Sequence, residues 1–228
     1  MSDTGEAPAA RGAAPAPSSL RVTGPYEEVV CTEEGPVAWL ILNRPRVHNA
    51  LSMRLSDELT HALEHLRDSA DVKVVVIRGA GGSFCAGDDI TEMPEWGTAE
   101  AVMRRVRAYQ HMADVLEALD KVTVAAVEGF AVGGGLELTM ACDFVLAADS
   151  ARWGMPEVDV GITPGWGGTT RLARLIGRRL AKEVNLLGAL HPATRAAELG
   201  LWNRVVPDDR LEPEVQALIH RMLRWWSA

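Results

Sequence analysis

The chain has 228 residues, 47% hydrophobic and 24% charged, enough apolar material for one large domain or one domain with a small appendage. Its formal charge of −8 argues against nucleic acid or an anionic membrane as the main partner. Three widely spaced cysteines, Cys31, Cys85 and Cys142, include no C-x-x-C pair, so neither a disulfide framework nor a zinc ribbon is suggested. No apolar run nears the ~20 residues of a membrane span. The N-terminus lacks the apolar centre of a signal peptide, so a reducing, cytoplasmic setting is expected.

Residues 1–24 are rich in Ala, Pro, Gly and Ser and hold almost no large apolar side chains. Such a segment cannot bury enough surface to offset its ordering entropy and is expected to be a disordered tail. From Tyr26 the pattern changes: Val29-Val30-Cys31 and the run from Val37 to Leu42 flank Glu33-Glu34-Gly35-Pro36, which reads as a β-hairpin with a turn of about four residues. Leu55, Leu59, Ala62, Leu63 and Leu66 then recur at helical spacing, with Ser52 placed to cap the helix. The run from Val72 to Ile77 is a near-continuous apolar strand, as expected when both faces of a sheet are covered. A long helix is expected over 99–119, then strands at 122–127 and 144–147. Helix follows over 172–187 with an interruption near Gly177, then over 192–199 with Gly200 just beyond it, and finally over 214–226. Strands alternating with helices point to an α/β fold with parallel pairing: a core over 25–190 and a short helical C-terminal region over 191–228.

The stretch from Glu128 to Leu138 carries three consecutive glycines, Gly133 to Gly135, where a strand gives way to a helix. Without Cβ atoms the backbone there can come close to something else. The first amides of the helix lack internal partners, so such a turn can hold a developing negative charge. Glu137 lies within one helical turn of it. Tight packing of helix on strand, with Glu137 as a dipole partner, accounts for the same residues. His61-Ala-Leu-Glu64-His65 matches the H-x-x-E-H pattern of one zinc peptidase class, but the leucines of that helix define one face and the two histidines project from the other, so no metal is expected. The sequence has no G-x-x-x-x-G-K-[ST] phosphate loop, no G-x-G-x-x-G after a strand and no G-x-S-x-G elbow.

Four segments carry a different chemistry together: 43–51, Gly82-Ser-Phe-Cys-Ala-Gly-Asp-Asp-Ile90, the glycine turn through Glu137, and Trp153-Gly-Met-Pro-Glu157 running into 161–169. With these motifs in this order, residues 26–207 resemble the crotonase superfamily, the enoyl-CoA hydratases and isomerases. The resemblance implies a crotonase-like spiral of ββα units. It implies an acyl thioester held by the backbone amides of Asp88 and Gly134, with the Asp88 side chain pointing away. It implies a catalytic pair in Glu137 and Glu157, whose joint presence favours hydration, and substrate contacts from Arg46 (near the CoA phosphates), Ala86, Asp88, Ile90, Gly133 and Trp166. A thioester enolate puts negative charge on oxygen, and one preorganised N–H donor is worth about 3 kcal/mol there.

Two features depart from the family pattern. Trp166 occupies a position where many relatives carry a small residue, which would reshape the acyl pocket. The chain also ends after one helix and Arg224-Trp225-Trp226, where typical members continue, which would alter the CoA contacts. The expected activity is hydration of a trans-2-enoyl-CoA with no cofactor beyond the CoA of the substrate, in a homo-oligomer (trimer or hexamer). The alternatives are an isomerase, decarboxylase or dehydratase of a specialised CoA- or carrier-bound thioester, and a non-catalytic acyl-CoA-binding subunit.

Overall fold

A computed structural model describes residues 21–92 and 97–226. Seven strands form the main sheet, in the spatial order β1 (Arg21–Thr23), β2 (Val29–Glu34), β3 (Val37–Leu42), β4 (Val74–Gly79), β5 (Val122–Val127), β7 (Phe144–Ala148) and β10 (Arg204–Val206). The first three pair antiparallel, and β3 to β10 pair parallel. A second sheet of β6 (Phe130–Val132), β8 (Arg152–Gly154) and β9 (His191–Pro192) branches off it. The parallel connections run through α1 (Met53–Asp68), α2 (Ala99–Glu117) and α3 (Gly134–Met140), followed by α4 (Arg171–Ile176), α5 (Arg178–Leu187), α6 (Ala193–Glu198) and α7 (Leu211–Leu223).

The apolar character of β4 and β5 follows from cover on both faces. Val75, Ile77 and Ala125 join the main core with Leu55, Leu59, Leu63 and Leu66 of α1 and Met112 and Leu116 of α2. Val74, Val76 and Val124 point the other way, into a second core closed by Leu211, Val215 and Ile219 of α7. Alternation along a strand puts neighbours on opposite faces, so a run buried on both sides is mostly apolar; Thr123, the buried polar residue of β5, is satisfied by donating its hydroxyl to Asp143 Oδ2 at 2.9 Å. Ser52 caps α1 as expected, its Oγ accepting from Leu55 N at 3.0 Å.

The structure differs from the sequence expectation in several places. Arg21–Thr23, placed in the disordered tail, pairs with Cys31–Glu33 as β1, while residues 1–20 lie outside the described residues. The hairpin is tighter than expected, because β2 and β3 pair up to Glu34 and Val37 and leave only Gly35-Pro36 to turn. The strand that enters the glycine turn is β6 rather than β5; the chain bends at Glu128-Gly129 and moves to the small sheet first. The last helix starts at Leu211, and Trp225 and Trp226 lie beyond its end, 85% and 50% exposed. His61 Nδ1 meets the Tyr26 hydroxyl at 2.8 Å and His65 Nε2 meets Glu33 at 3.4 Å, and the described residues hold no cluster suited to a metal ion.

Candidate active site

The site is built where the loop after β4 crosses the start of α3. Residues 84–89 are pinned on both sides: Cys85 N donates to Phe130 O and Val132 N to Cys85 O, while Leu51 N donates to Gly87 O and Asp89 N to Leu51 O. The glycine turn lies against this segment. Gly133 takes φ 53°, ψ −123°, a conformation L side chains rarely adopt, and its N–H donates to Gly154 O. A Cβ on Gly135 would overlap the Cys85 carbonyl, so only glycine lets α3 dock this closely. The N–H of Asp88 in the pinned loop and that of Gly134 at the first position of α3 have no partner among the described residues.

Beside them opens a cavity of 770 Å³ whose lining includes Asp88, Glu137 and Glu157. Glu137 is 1% exposed, on the first turn of α3. Its Oε1 accepts from Trp166 N at 3.0 Å and Gly168 N at 2.6 Å, so it anchors the 164–168 loop rather than its own helix end. Burial pushes its carboxyl up to about 8, and the nearby Glu157 and Asp88 add to the shift against those two hydrogen bonds. Glu157 sits on the turn Pro156–Val160 that follows β8. Its Oε1 approaches to 3.1 Å from where a Cβ on Gly133 would be, and its buried Oε2 has no hydrogen-bond partner. Burial, with a contribution from Asp88, raises it to about 7. Two carboxyls that ionise near neutrality in one cavity can hold a single proton between them.

Asp88 is a correction to the sequence reading. Its side chain does not point away: Oδ1 is buried, lies 2.9 Å from where a Cβ on Gly134 would be, and accepts no hydrogen bond. Burial pushes this carboxyl up to about 6, with Arg105 and the Trp166 indole pulling the other way. Trp166 is buried, as its apolar ring demands, stacked on Tyr109 with ring centroids 5.5 Å apart. The loop that carries it is clamped by Gln110 Nε2 to Gly165 O at 2.7 Å and by Arg171 Nη1 to Trp166 O at 2.8 Å.

Asp88, Glu137, Glu157 and Trp166 therefore meet at one cavity, with Gly133 and Gly134 forming the turn beside it. Ala86 holds the loop in place through its N–H to His48 O at 3.0 Å. Arg46, on the turn Pro45–Val47, and Ile90, 62% exposed, are surface residues that do not line the cavity. Sequence reasoning missed the wall contributed by α2: Val102, Arg105, Val106 and Tyr109. A signal was present, since Arg105 stands four residues before Tyr109 on the face that continues with Met112 and Leu116, and a buried arginine there needs an anion. It finds Glu92, as an ion pair.

The sequence matches the profile of the enoyl-CoA hydratase/isomerase family over residues 32–227. It is 42% identical over 200 residues to crotonyl-CoA hydratase of Syntrophomonas wolfei, covering 87% of this chain and 76% of that one. It is 38% identical over 205 residues to the short-chain-enoyl-CoA hydratase of Clostridium acetobutylicum, covering 86% and 75%. Its fold superposes on the crystal structure of an enoyl-CoA hydratase from Bacillus anthracis with a TM-score of 0.81 at 38% identity, over 86% of this chain and 76% of that one. With an α/β spiral that matches solved members and a profile spanning nearly all of its described residues, the chain belongs to the enoyl-CoA hydratase/isomerase family of the crotonase superfamily and is an enzyme of that family.

Proposed function

We propose that the chain adds water to a trans-2-enoyl-CoA. The thioester oxygen is received by the N–H groups of Asp88 and Gly134, and the water oxygen bonds to C3 while a proton is delivered to C2. Both bonds need proton transfer at the cavity: a base takes a proton from the water and an acid supplies one to the carbon. Glu137 and Glu157 share these tasks, one ionised and one protonated near neutral pH. No cofactor beyond the CoA of the substrate takes part. The observation that carries this reading is the meeting of two buried carboxyls, one with an unpartnered oxygen, at a cavity beside two unpartnered backbone N–H groups. The relatives named as hydratases support the same activity.

The test is hydration of but-2-enoyl-CoA followed by loss of the enoyl absorbance. Glu137→Gln and Glu157→Gln should each lower kcat by roughly 10²–10⁴, the range for losing a general acid or base. The double variant should fall much less than the product of the two, because the pair acts on one water as a unit. A loss confined to Glu157→Gln would indicate an isomerase with one base. Undiminished hydration by a folded double variant would refute the mechanism. Gly134→Pro removes the backbone donor itself and should abolish turnover while circular dichroism reports the fold. We further place Arg46 near the CoA phosphates and the working enzyme in a homo-oligomer, a trimer or hexamer.

A further inference from the structure

Two neighbouring carboxylates in the pinned loop differ sharply in how they are satisfied. Asp89 Oδ1 accepts from Thr91 N at 3.0 Å and from Thr91 Oγ1 at 2.6 Å, and Oδ2 is paired with Arg44 at 2.9 Å. Asp88 lines the cavity, and its Oδ1 is buried without any hydrogen bond. A buried acceptor left empty costs the full desolvation of that atom, so one that persists in a ligand cavity is a place where a donor on the ligand gains most. Beyond Arg105, Thr163 and the two glutamates, the lining of the cavity is mostly apolar, with Val102, Val106, Tyr109, Ile162, Pro164 and Trp166. Positive charge is already supplied by Arg105, itself paired with Glu92, and the Trp166 indole is a donor beside the carboxyl, which leaves the Oδ1 atom alone open to a donor on the ligand. Trp166, stacked on Tyr109 and pressed against Gly134, closes the space beside Asp88 and favours a short acyl group.

We propose that Asp88 is a specificity-determining residue whose carboxyl accepts a hydrogen bond from a hydroxyl group on the acyl chain, so that the preferred substrate class is a short hydroxylated enoyl thioester. This deepens the hydratase reading and rests on it for the identity of the thioester. A hydrogen bond to a carboxylate is worth a factor of about 10 to 100, and a site built for a hydroxyl rejects the analogue that lacks it.

The experiment compares kcat/KM for 4-hydroxybut-2-enoyl-CoA and 6-hydroxyhex-2-enoyl-CoA with their unsubstituted counterparts of equal length. The wild-type enzyme should prefer one hydroxylated member of these pairs by tenfold or more, and Asp88→Ala, which keeps the backbone N–H, should bring that ratio close to one. The saturated pair 4-hydroxybutyryl-CoA and butyryl-CoA, titrated by calorimetry, reads a preference with no turnover, so failure of the hydratase reading is told apart from failure of this one. Equal or better handling of both unsubstituted chains by the wild type overturns the proposal, as does a preference that survives intact in Asp88→Ala.

Discussion

Glu137 and Glu157 are held in an environment that suits chemistry at the expense of stability. Unfolded, each would ionise near 4.5; folded, burial raises them to about 8 and about 7. Between those limits the native state binds more protons than the unfolded one, so stability falls as pH rises. The contribution of each group is most favourable at pH 4.5 and below and is lost once pH passes its folded value. Glutamine stays neutral throughout and still offers Oε1 to the N–H groups of Trp166 and Gly168. Glu137→Gln should therefore raise Tm at pH 8.5, by a few degrees for each kcal/mol regained in a chain of this size, roughly 2–4 °C. The gain should shrink towards pH 5. Thermal melts of wild type and variant at the two pH values check this, and an unchanged or lowered Tm at pH 8.5 would show that the carboxylate is better solvated than its burial implies.

At the scale of elements, α3 can dock only because residue 135 has no side chain. Gly135→Ala would drive a methyl into the Cys85 carbonyl, which is backbone pinned by Phe130 and Val132 and unable to yield. A loss of about 1–3 kcal/mol is expected from such overpacking, measured by chemical denaturation. The control is Gly97→Ala, where an added Cβ meets nothing within 4 Å among the described residues, and which should stay close to neutral. This element was legible in the sequence because three adjacent glycines have few uses other than close approach. The helices with long apolar stripes, α1 and α2, were legible for the same kind of reason, as was the cap at Ser52. The short strands β6, β8, β9 and β10 were not, since two or three residues carry no period and their pairing is decided by partners distant in sequence. The site followed the same divide. Glu137 and Glu157 stand in recognisable motifs, whereas the direction of the Asp88 side chain depends on Arg105 and Trp166, which only the fold brings to it. The α2 wall was hidden because a cavity-lining face and a core-packing face have the same spacing along a helix.

For the whole molecule, the remaining question is what covers the apolar surface next to the site. Val158 and Val160, on the turn that carries Glu157, are exposed, as are Leu186 and Leu187 at the end of α5 and Leu190 just after it. They lie on adjoining elements, since α5 packs on that turn and a Cβ on Gly188 would come within 3.0 Å of Val158. Large contiguous apolar patches on soluble proteins mark interaction surfaces, and the expected occupant is a second copy of this chain in a closed oligomer. Sedimentation equilibrium at micromolar concentration should then give a mass that is a multiple of 24.6 kDa. Leu187→Asp should shift it towards the monomer, because a carboxylate buried at a contact without a partner is costly. Because the turn on which α5 packs also positions Glu157, the same variant should lose hydratase activity in step with its loss of assembly, and activity should recover partly at protein concentrations high enough to restore the larger species. A wild-type chain that sediments at 24.6 kDa with full activity would show instead that the turn is held by its own backbone, through Gly161 N to Val158 O and Ile162 N to Glu157 O, and that the patch plays no part in catalysis.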